Sequence, residues 1–121
     1  MNEEVAIKRG DIVHVINPVH RGGRTHMMMG NHFGVVLSNN KGNEHGETVI
    51  VAYITSNTRR LDLPVNCLLQ WYDCFDKPSV ILASQIVTVD KQDISAVIGH
   101  LRPEDEIRLN MALKSSMALE D

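Results

Sequence analysis

The residues of this chain most suited to binding a phosphate backbone are cations gathered in one glycine-rich stretch. His20, Arg21, Arg24 and His26 lie there, close to Gly22-Gly23. The whole chain has a net charge of -3 and a pI near 6.0, so it lacks the overall basic field of a general nucleic-acid binder. Any nucleic-acid site must therefore be local. The alternative is a set of solvated loop charges, which are common on protein surfaces.

Histidines also raise the question of a metal site. His14, His20, His26 and His32 recur every six residues, but a strand followed by a loop does not keep that spacing on one face. No Cys-x-x-Cys or His-Glu-x-x-His pattern accompanies them. We therefore predict no metal site, and nothing in the sequence implies a cofactor.

Length and composition predict a single domain spanning residues 1–121. No apolar run is long enough to cross a bilayer, and the N-terminus is acidic rather than a basic signal-peptide start. We expect a cytoplasmic protein without membrane contact. Cys67 and Cys74 are too few for a disulfide framework, so they are predicted to pack as thiols.

Runs of β-branched residues predict a mainly β fold in the first ninety residues. A long, glycine-rich loop over 19–31 separates the first two strands, and a turn over 40–47 connects the second strand to the third as a hairpin. The strand after Asp76-Lys77-Pro78-Ser79 has a polar break at Ser84-Gln85. Trp71 is expected to cover one rim of the sheet. The predicted strands are Asp11 to Asn17, Gly34 to Asn39, Thr48 to Ile54, Leu61 to Val65, Cys67 to Tyr72 and Val80 to Val89.

A helix is predicted from Pro103 to about Leu119. Proline suits the first helical position, and three acidic residues follow it in the first turn, where the helix dipole favours negative charge. The apolar residues occupy more than one face, so two surfaces could cover the helix. We predict a small, mostly antiparallel barrel closed by this C-terminal helix. The apolar residues are Ile107, Leu109, Met111, Leu113 and Met117.

Five ordered blocks cover nearly the whole chain, and together they resemble the MazF/PemK-like toxins of type II toxin–antitoxin systems. The resemblance implies an SH3-like barrel that forms a homodimer. It also implies a metal-independent endoribonuclease that cleaves single-stranded mRNA and is inhibited by a cognate antitoxin. The blocks are Lys8-Arg9-Gly10-Asp11-Ile12-Val13, Val35-Val36-Leu37-Ser38-Asn39, Thr48 to Ser56, Ser79 to Lys91, and Ile98-Gly99-His100-Leu101 before Pro103.

The chemistry implied by the family is attack of a ribose 2′-hydroxyl on the adjacent phosphate. The products are a 2′,3′-cyclic phosphate and a free 5′-hydroxyl, so the site needs a base, an acid and a positive group. The family places a threonine at the end of the third strand, and Thr55 matches it. The alternative is that Thr55 only ends a strand.

His32 occupies the position of the family's arginine, and the usual Arg-Pro pair reads His32-Phe33. Arginine is permanently charged and grips phosphate in two places, whereas histidine can transfer protons near neutral pH. Two outcomes follow. Either His32 transfers protons while Arg24 or Arg21 supplies charge, or activity is reduced or lost.

The resemblance also implies contacts to the substrate on either side of the reacting phosphate. Asn39 and Gln85 are candidate readers of base edges, and the alternative is that both satisfy hydrogen bonds at the barrel rims. The candidate substrate-binding residues are Arg21, Ser38, Asn39, Ser56 and Gln85.

Two rival functions come from other classes. A degenerate family member would bind RNA or an antitoxin without cleaving RNA, and His32 motivates that reading. A gyrase-poisoning toxin of the related fold would need a Trp-Gly-Ile-like C-terminus, but the chain ends Met117-Ala118-Leu119-Glu120-Asp121. The first rival stays open, and the C-terminus argues against the second.

Overall fold

The computed structural model describes residues 6–16 and 32–119, and these residues form one six-stranded sheet with two α-helices. A short 3-10 turn, Lys91–Asp93, connects the last two strands. Arg21, Arg24 and the whole of the predicted 19–31 loop lie outside the described residues. The elements are β1 (Asp11–Val15), β2 (His32–Val36), α1 (Asn40–His45), β3 (Thr48–Thr55), β4 (Asn66–Leu69), β5 (Ser79–Asp90), β6 (Ile94–His100) and α2 (Pro103–Met117).

Every pairing in the sheet is antiparallel, in the order β4-β5-β3-β2-β1-β6. The predicted β2–β3 hairpin is confirmed, with Val35 opposite Ala52. Within the described ranges, the edge strands β4 and β6 do not pair with each other, so the sheet is not closed. The mainly β architecture with a C-terminal helix is confirmed, and SH3-like closure and dimerisation stay predictions.

Alternation along the strands sends apolar side chains to both faces of the sheet. One face carries a cluster that includes Val13, Val51 and Tyr53 and draws on every strand except β4. The opposite face carries Ile12 and Ile81, which belong to one cluster with Leu109 of α2. Most of these side chains are almost fully buried, and each contributes roughly 1.5–3 kcal/mol to folding.

An ionic network attaches the start of α2 to the strand β4 region, and we call it the helix anchor: Tyr72, Arg102, Asp105 and Arg108. Asp105 is 4% exposed and accepts hydrogen bonds from Tyr72 Oη at 2.6 Å and Arg108 Nη1 at 2.7 Å. Arg102 Nη2 lies 3.3 Å from the same carboxylate, and the guanidinium stacks 4.2 Å from the Tyr72 ring centroid. Burial, followed by the hydrogen bond to Asp105, raises the pKa of Tyr72 to about 12.

A second contact attaches α2 to β1 through His100. Its Nδ1 lies 2.8 Å from Asp11 and its Nε2 3.1 Å from Glu106. Gly10 has a φ of +91°, and a Cβ there would lie 2.5 Å from the Glu106 carboxylate. Glycine is favoured at this crossing because of its positive φ, and a side chain there would also displace the flexible Glu106 carboxylate.

Several predicted elements differ from the structure. The 40–47 turn contains α1, whose N-cap is Asn39; its side chain accepts a bond from the Gly42 backbone at 2.8 Å. Leu61 to Val65 is a series of turns because Pro64 lacks an N–H and local bonds such as Asn66 N to Leu63 O form instead. The predicted strand over Cys67 to Tyr72 ends at Leu69.

Two further predictions about the second half need correction. Trp71 covers nothing: it is 87% exposed, and its φ of 65° turns the chain away from the sheet. The sequence reading also omitted β6 as a strand. Its alternation is weak, because four of its seven residues are half-buried. By contrast, α2 begins at Pro103 as predicted.

Among the described residues, no helix is long and apolar enough to cross a membrane. Both cysteines are free thiols. The packing role predicted for Cys67 is confirmed, since it is 2% exposed, whereas Cys74 is only half-buried.

Candidate active site

The sheet register brings His32 and Thr55 together. Phe33 pairs with Ile54 and Gly34 with Tyr53, so one further step of the same register places His32 opposite Thr55. Directly opposed side chains share a face and have Cβ atoms roughly 4.5–5.5 Å apart. Two residues separated by 22 positions in the sequence therefore meet where β2 begins and β3 ends.

A cleft of about 410 Å³ opens at this edge of the sheet, and we call it the His32–Thr55 cleft. Strands β2, β3 and β5 and the segment before β5 all contribute to it. Its lining residues are His32, Phe33, Ile54, Thr55, Ser56, Cys74, Phe75, Asp76, Lys77 and Ser79.

The two central side chains are held differently. The His32 ring packs against Tyr53, with centroids 5.2 Å apart, and Tyr53 is 2% exposed. Thr55 Oγ1 accepts a hydrogen bond from the Asn57 backbone N–H at 3.1 Å. Accepting this bond occupies one lone pair and leaves the hydroxyl proton able to donate. Thr55 can thus present a donor to a phosphate oxygen, beside an imidazole with a fixed position.

The cleft also contains Phe75, Asp76 and Lys77, three neighbouring residues that the sequence did not indicate as site residues. Asp76 and Lys77 were read as turn residues before the strand, and the turn itself carries them to the cleft. Both are exposed, and the Lys77 side chain has no hydrogen bond or ion pair among the described residues, although its backbone carbonyl accepts a bond from Ser79 Oγ at 3.2 Å. The available signal was the charge pair Asp76-Lys77 just before Pro78 and the family-like block that begins at Ser79.

A second cleft of about 580 Å³ meets the first at Thr55, and we call it the Arg59–Gln85 cleft. The register between β3 and β5 shifts between Ala52 and Ile54, where β5 bulges at the predicted polar break. Ser84 and Gln85, which form the polar break in β5, line this cleft. Its other lining residues are Asn57, Arg59, Arg60, Leu63, Val65, Asn66 and Leu82.

Some polar groups of the second cleft have hydrogen-bond or ion-pair partners in the described part of the chain, and others do not. Arg60 bonds Asp62 at 3.1 and 3.2 Å, and this hydrogen bond raises the pKa of Arg60 and lowers that of Asp62. The Arg59 side chain has no ion pair in the described part of the chain. Gln85 Oε1 is buried without a hydrogen-bond partner there. Because a buried acceptor without a partner costs free energy, a bound donor would stabilise it.

The other predicted site residues are divided by the fold. Ser56 lines the first cleft with His32 and Thr55. Ser38 and Asn39 follow the opposite end of β2 and line neither cleft. Ser38 bonds Asn43, which is 1% exposed, and Asn39 caps α1. Substrate binding by these two residues stays a prediction, as it does for Arg21 and Arg24, which lie outside the described residues.

Within residues 6–16 and 32–119, no group of three or more His, Cys, Asp or Glu residues could hold a metal ion. The Cys74 thiol lines the His32–Thr55 cleft, but burial raises its pKa. Since the thiolate is the nucleophile, a raised pKa argues against nucleophilic chemistry by Cys74.

Comparison with known proteins gives a consistent result. The family described as the PemK-like, MazF-like toxin of type II toxin-antitoxin system matches residues 8–117. Endoribonuclease EndoA of Bacillus subtilis is 35% identical over 121 residues, covering 95% of this chain and 97% of that protein. Endoribonuclease MazF of Staphylococcus epidermidis is 34% identical, covering 70% and 72% of the two chains.

Solved structures share the fold at lower identity. A mycobacterial endoribonuclease in complex with its cognate antitoxin has a TM-score of 0.78 at 21% identity, covering 96% of this chain and 99% of that one. MazF from Deinococcus radiodurans has a TM-score of 0.76 at 17% identity, covering 94% and 98%. The chain therefore belongs to the PemK-like, MazF-like toxin family of type II toxin–antitoxin systems.

Proposed function

We propose that the protein is a toxin endoribonuclease that cleaves single-stranded mRNA at the His32–Thr55 cleft without a metal ion. The observation that carries this proposal is that His32, Thr55 and Lys77 line one cleft, at the end of the β2–β3 pairing. Membership of the family and relatives named as endoribonucleases support it.

In the proposed reaction the ribose 2′-oxygen forms a bond to the adjacent phosphorus, and the bond from phosphorus to the 5′-oxygen breaks. The 2′-hydroxyl loses a proton and the leaving 5′-oxygen gains one. His32 and Asp76 are the groups in the cleft suited to these two transfers. The products are a 2′,3′-cyclic phosphate and a 5′-hydroxyl.

Thr55 and Lys77 would stabilise the negative charge on the phosphorane, the five-coordinate phosphorus species between substrate and product. The Thr55 hydroxyl donates to a non-bridging oxygen, and Lys77 supplies a positive charge. This assignment gives Lys77 part of the role that the family's arginine would have had at position 32. A single ammonium cannot grip two oxygens as a guanidinium does, so Arg24 and Arg21 remain further candidate cations.

The second cleft is proposed to hold the RNA on one side of the scissile phosphate. Arg59 and Arg60 are cations placed for the phosphate backbone, and Gln85 can accept a bond from a base edge. The cleft meets Thr55, so the strand would continue without interruption. Ser56 is proposed to bind substrate within the first cleft.

The experiment is cleavage of a pool of varied single-stranded RNA in EDTA, with analysis of the product ends. We expect cyclic-phosphate and 5′-hydroxyl ends from the wild type and a loss of about 100-fold or more in rate for His32→Ala. His45→Ala is the matched control, because His45 is exposed on α1 and lies outside both clefts. Absence of cleavage by the wild type in EDTA would contradict a metal-independent enzyme, and equal rates in wild type and His32→Ala would contradict the role of His32.

A second candidate function is RNA or antitoxin binding without cleavage, and the observation favouring it is histidine at the family's arginine position. His32→Arg separates the two functions. If His32→Arg cleaves RNA and the wild type does not, while both proteins bind RNA equally, the wild-type site is catalytically degenerate. Comparable cleavage by both proteins would exclude the degenerate reading.

We also propose two protein partners, a cognate antitoxin and a second copy of this chain. The mycobacterial structure contains a cognate antitoxin. Ile107 and Met111, one turn apart on α2, are 62% and 65% exposed and thus leave an apolar surface for a homodimer. Sedimentation should show a dimer that Ile107→Glu dissociates; a wild-type monomer at micromolar concentration would contradict it.

A further inference from the structure

We infer that Phe33 and Phe75 form a stacking platform for an RNA base beside the scissile phosphate. The inference rests on the proposed function and adds to it a binding subsite particular to this chain. Phe33 directly follows His32 on β2 and offers an aromatic face there.

Phe33 is more exposed than the residues that follow it on β2. The following residues Gly34, Val35 and Val36 are buried, whereas Phe33 is 37% exposed. The ring is nevertheless held in place. Phe75 packs against it edge-to-face, with centroids 5.4 Å apart and planes at 75°, and the His14 ring lies 5.3 Å away on the neighbouring strand. A fixed and partly exposed ring can stack a ligand with little loss of its own conformational freedom.

The platform lies in the same cleft as the groups proposed to act on the phosphate. His32 and Phe33 are adjacent on β2, and although neighbouring strand residues point to opposite faces, both line the cleft where the strand begins. Lys77 follows Phe75 by two residues and lines the same cleft. A ligand that places its phosphate at His32, Thr55 and Lys77 would bring its flat, apolar part to the two phenylalanines. A nucleotide has this combination of a charged and an aromatic part.

Chemistry favours a base over a purely apolar occupant. The cleft is bordered by Asp76, Lys77 and Ser56, so an aliphatic ligand would leave charged groups unmatched. Unpaired RNA bases stack on aromatic side chains, and such stacking is tolerant of base identity. The platform should therefore strengthen binding of single-stranded RNA of many sequences and should contribute little to binding of a double helix.

The test compares Phe33→Leu, which keeps apolar bulk, with Phe33→Tyr, which keeps the ring. The probes are two 2′-O-methyl 12-mers, which block attack by the 2′-oxygen: one of random sequence and one with abasic riboses. Binding is measured by fluorescence anisotropy in EDTA. We expect Phe33→Leu to weaken binding of the random oligomer about tenfold, Phe33→Tyr to bind as the wild type does, and neither change to affect the abasic oligomer.

Ile50→Ala is the matched control, because Ile50 is 40% exposed on β3 and lies outside both clefts. Thermal melting of every variant establishes folding. If Phe33→Leu does not fold, Phe75→Leu, which removes the second ring of the pair, is tested in its place. Three outcomes would overturn the platform. The first is equal binding of the random oligomer by Phe33→Leu and the wild type. The others are an equal loss of affinity of Phe33→Leu for the abasic oligomer, and failure of the wild type to bind the random oligomer.

Cleavage of unmodified RNA is measured separately, so the two proposals can fail independently. A wild type that binds the random oligomer through Phe33 but never cleaves RNA would overturn the endoribonuclease and leave the platform in place. A wild type that cleaves RNA while Phe33→Leu binds and cleaves equally well would overturn the platform alone.

Discussion

At the helix anchor, Asp105 is 4% exposed and bonds three side chains, whereas at the His32–Thr55 cleft Asp76 and Lys77 are exposed. Both regions combine a carboxylate, a cation and an aromatic ring. In the anchor these groups bond one another, so their charges are compensated within the protein. In the cleft, Lys77 has no such bond among the described residues, so its charge can act on a ligand.

The helix anchor stabilises the fold, whereas the His32–Thr55 cleft is the proposed site of activity. The anchor connects α2 to β4 and to the turn after it: Arg108 donates to Leu68 O of β4 at 2.8 Å, and Arg102 donates to Gln70 O of the turn at 2.6 Å. The cleft is built on strand ends that are positioned by buried neighbours such as Tyr53. Changes in the anchor should therefore alter folding, and changes in the cleft should alter activity at nearly constant stability.

The largest effect is expected from Thr55→Val, which replaces the hydroxyl with a methyl group of similar size. Loss of one donor to the developing charge should lower the cleavage rate about 100- to 1000-fold. The melting temperature should change little, because Thr55 is half-buried at a strand end. Thr55→Ser should retain most activity, and a rate for Thr55→Val within threefold of the wild type would remove Thr55 from the mechanism.

A smaller effect, on folding rather than chemistry, is expected from Asp105→Ala. Three donors would lose their acceptor, and we expect a loss of about 2–3 kcal/mol in the free energy of unfolding, measured in urea. Glu104→Ala is the control in the same helical turn, because the Arg102–Glu104 pair is long, at 3.6 Å, and exposed. If both variants lose equal stability, the distinction between anchor and surface charge is wrong.

The anchor should also respond to alkaline pH through Tyr72. Its pKa in the folded protein is raised to about 12, against about 10 when unfolded, so folding favours the neutral phenol. The stabilisation from Tyr72 should be complete below about pH 10 and should be lost as the pH rises through about 12. Urea unfolding of wild type and Tyr72→Phe from pH 8 to 12 measures this, and parallel pH dependences would refute it.

The smallest effect concerns two neighbouring arginines of the second cleft. Arg59→Ala should lower the slope of RNA affinity against salt by about 0.7 on logarithmic axes, the value for one phosphate of a single strand. Arg60→Ala should change the slope less, since Arg60 already bonds Asp62. Titrations at several salt concentrations test the pair, and a larger change for Arg60→Ala would reverse the assignment.

Much of the fold was predictable because its signals are local. Pro103 and the acidic residues after it marked the start of α2, and β-branched runs marked β1, β3 and β5. Leu61 to Val65, Trp71 and β6 were misread, since turn bonds, a positive φ and half-buried positions depend on the neighbouring chain. At the site, the sequence indicated His32, Thr55 and Ser56 as functional residues, but it did not indicate Phe75 or Lys77.

The sequence by itself determined the family and the order of most strands, because these depend on residue types and spacing along the chain. Only the tertiary structure decided which of those residues meet. Antiparallel register placed His32 opposite Thr55, and the turn before β5 added Phe75 and Lys77 to their cleft. The reason is that contacts between distant strands depend on register and turn geometry, neither of which is encoded in a single short segment.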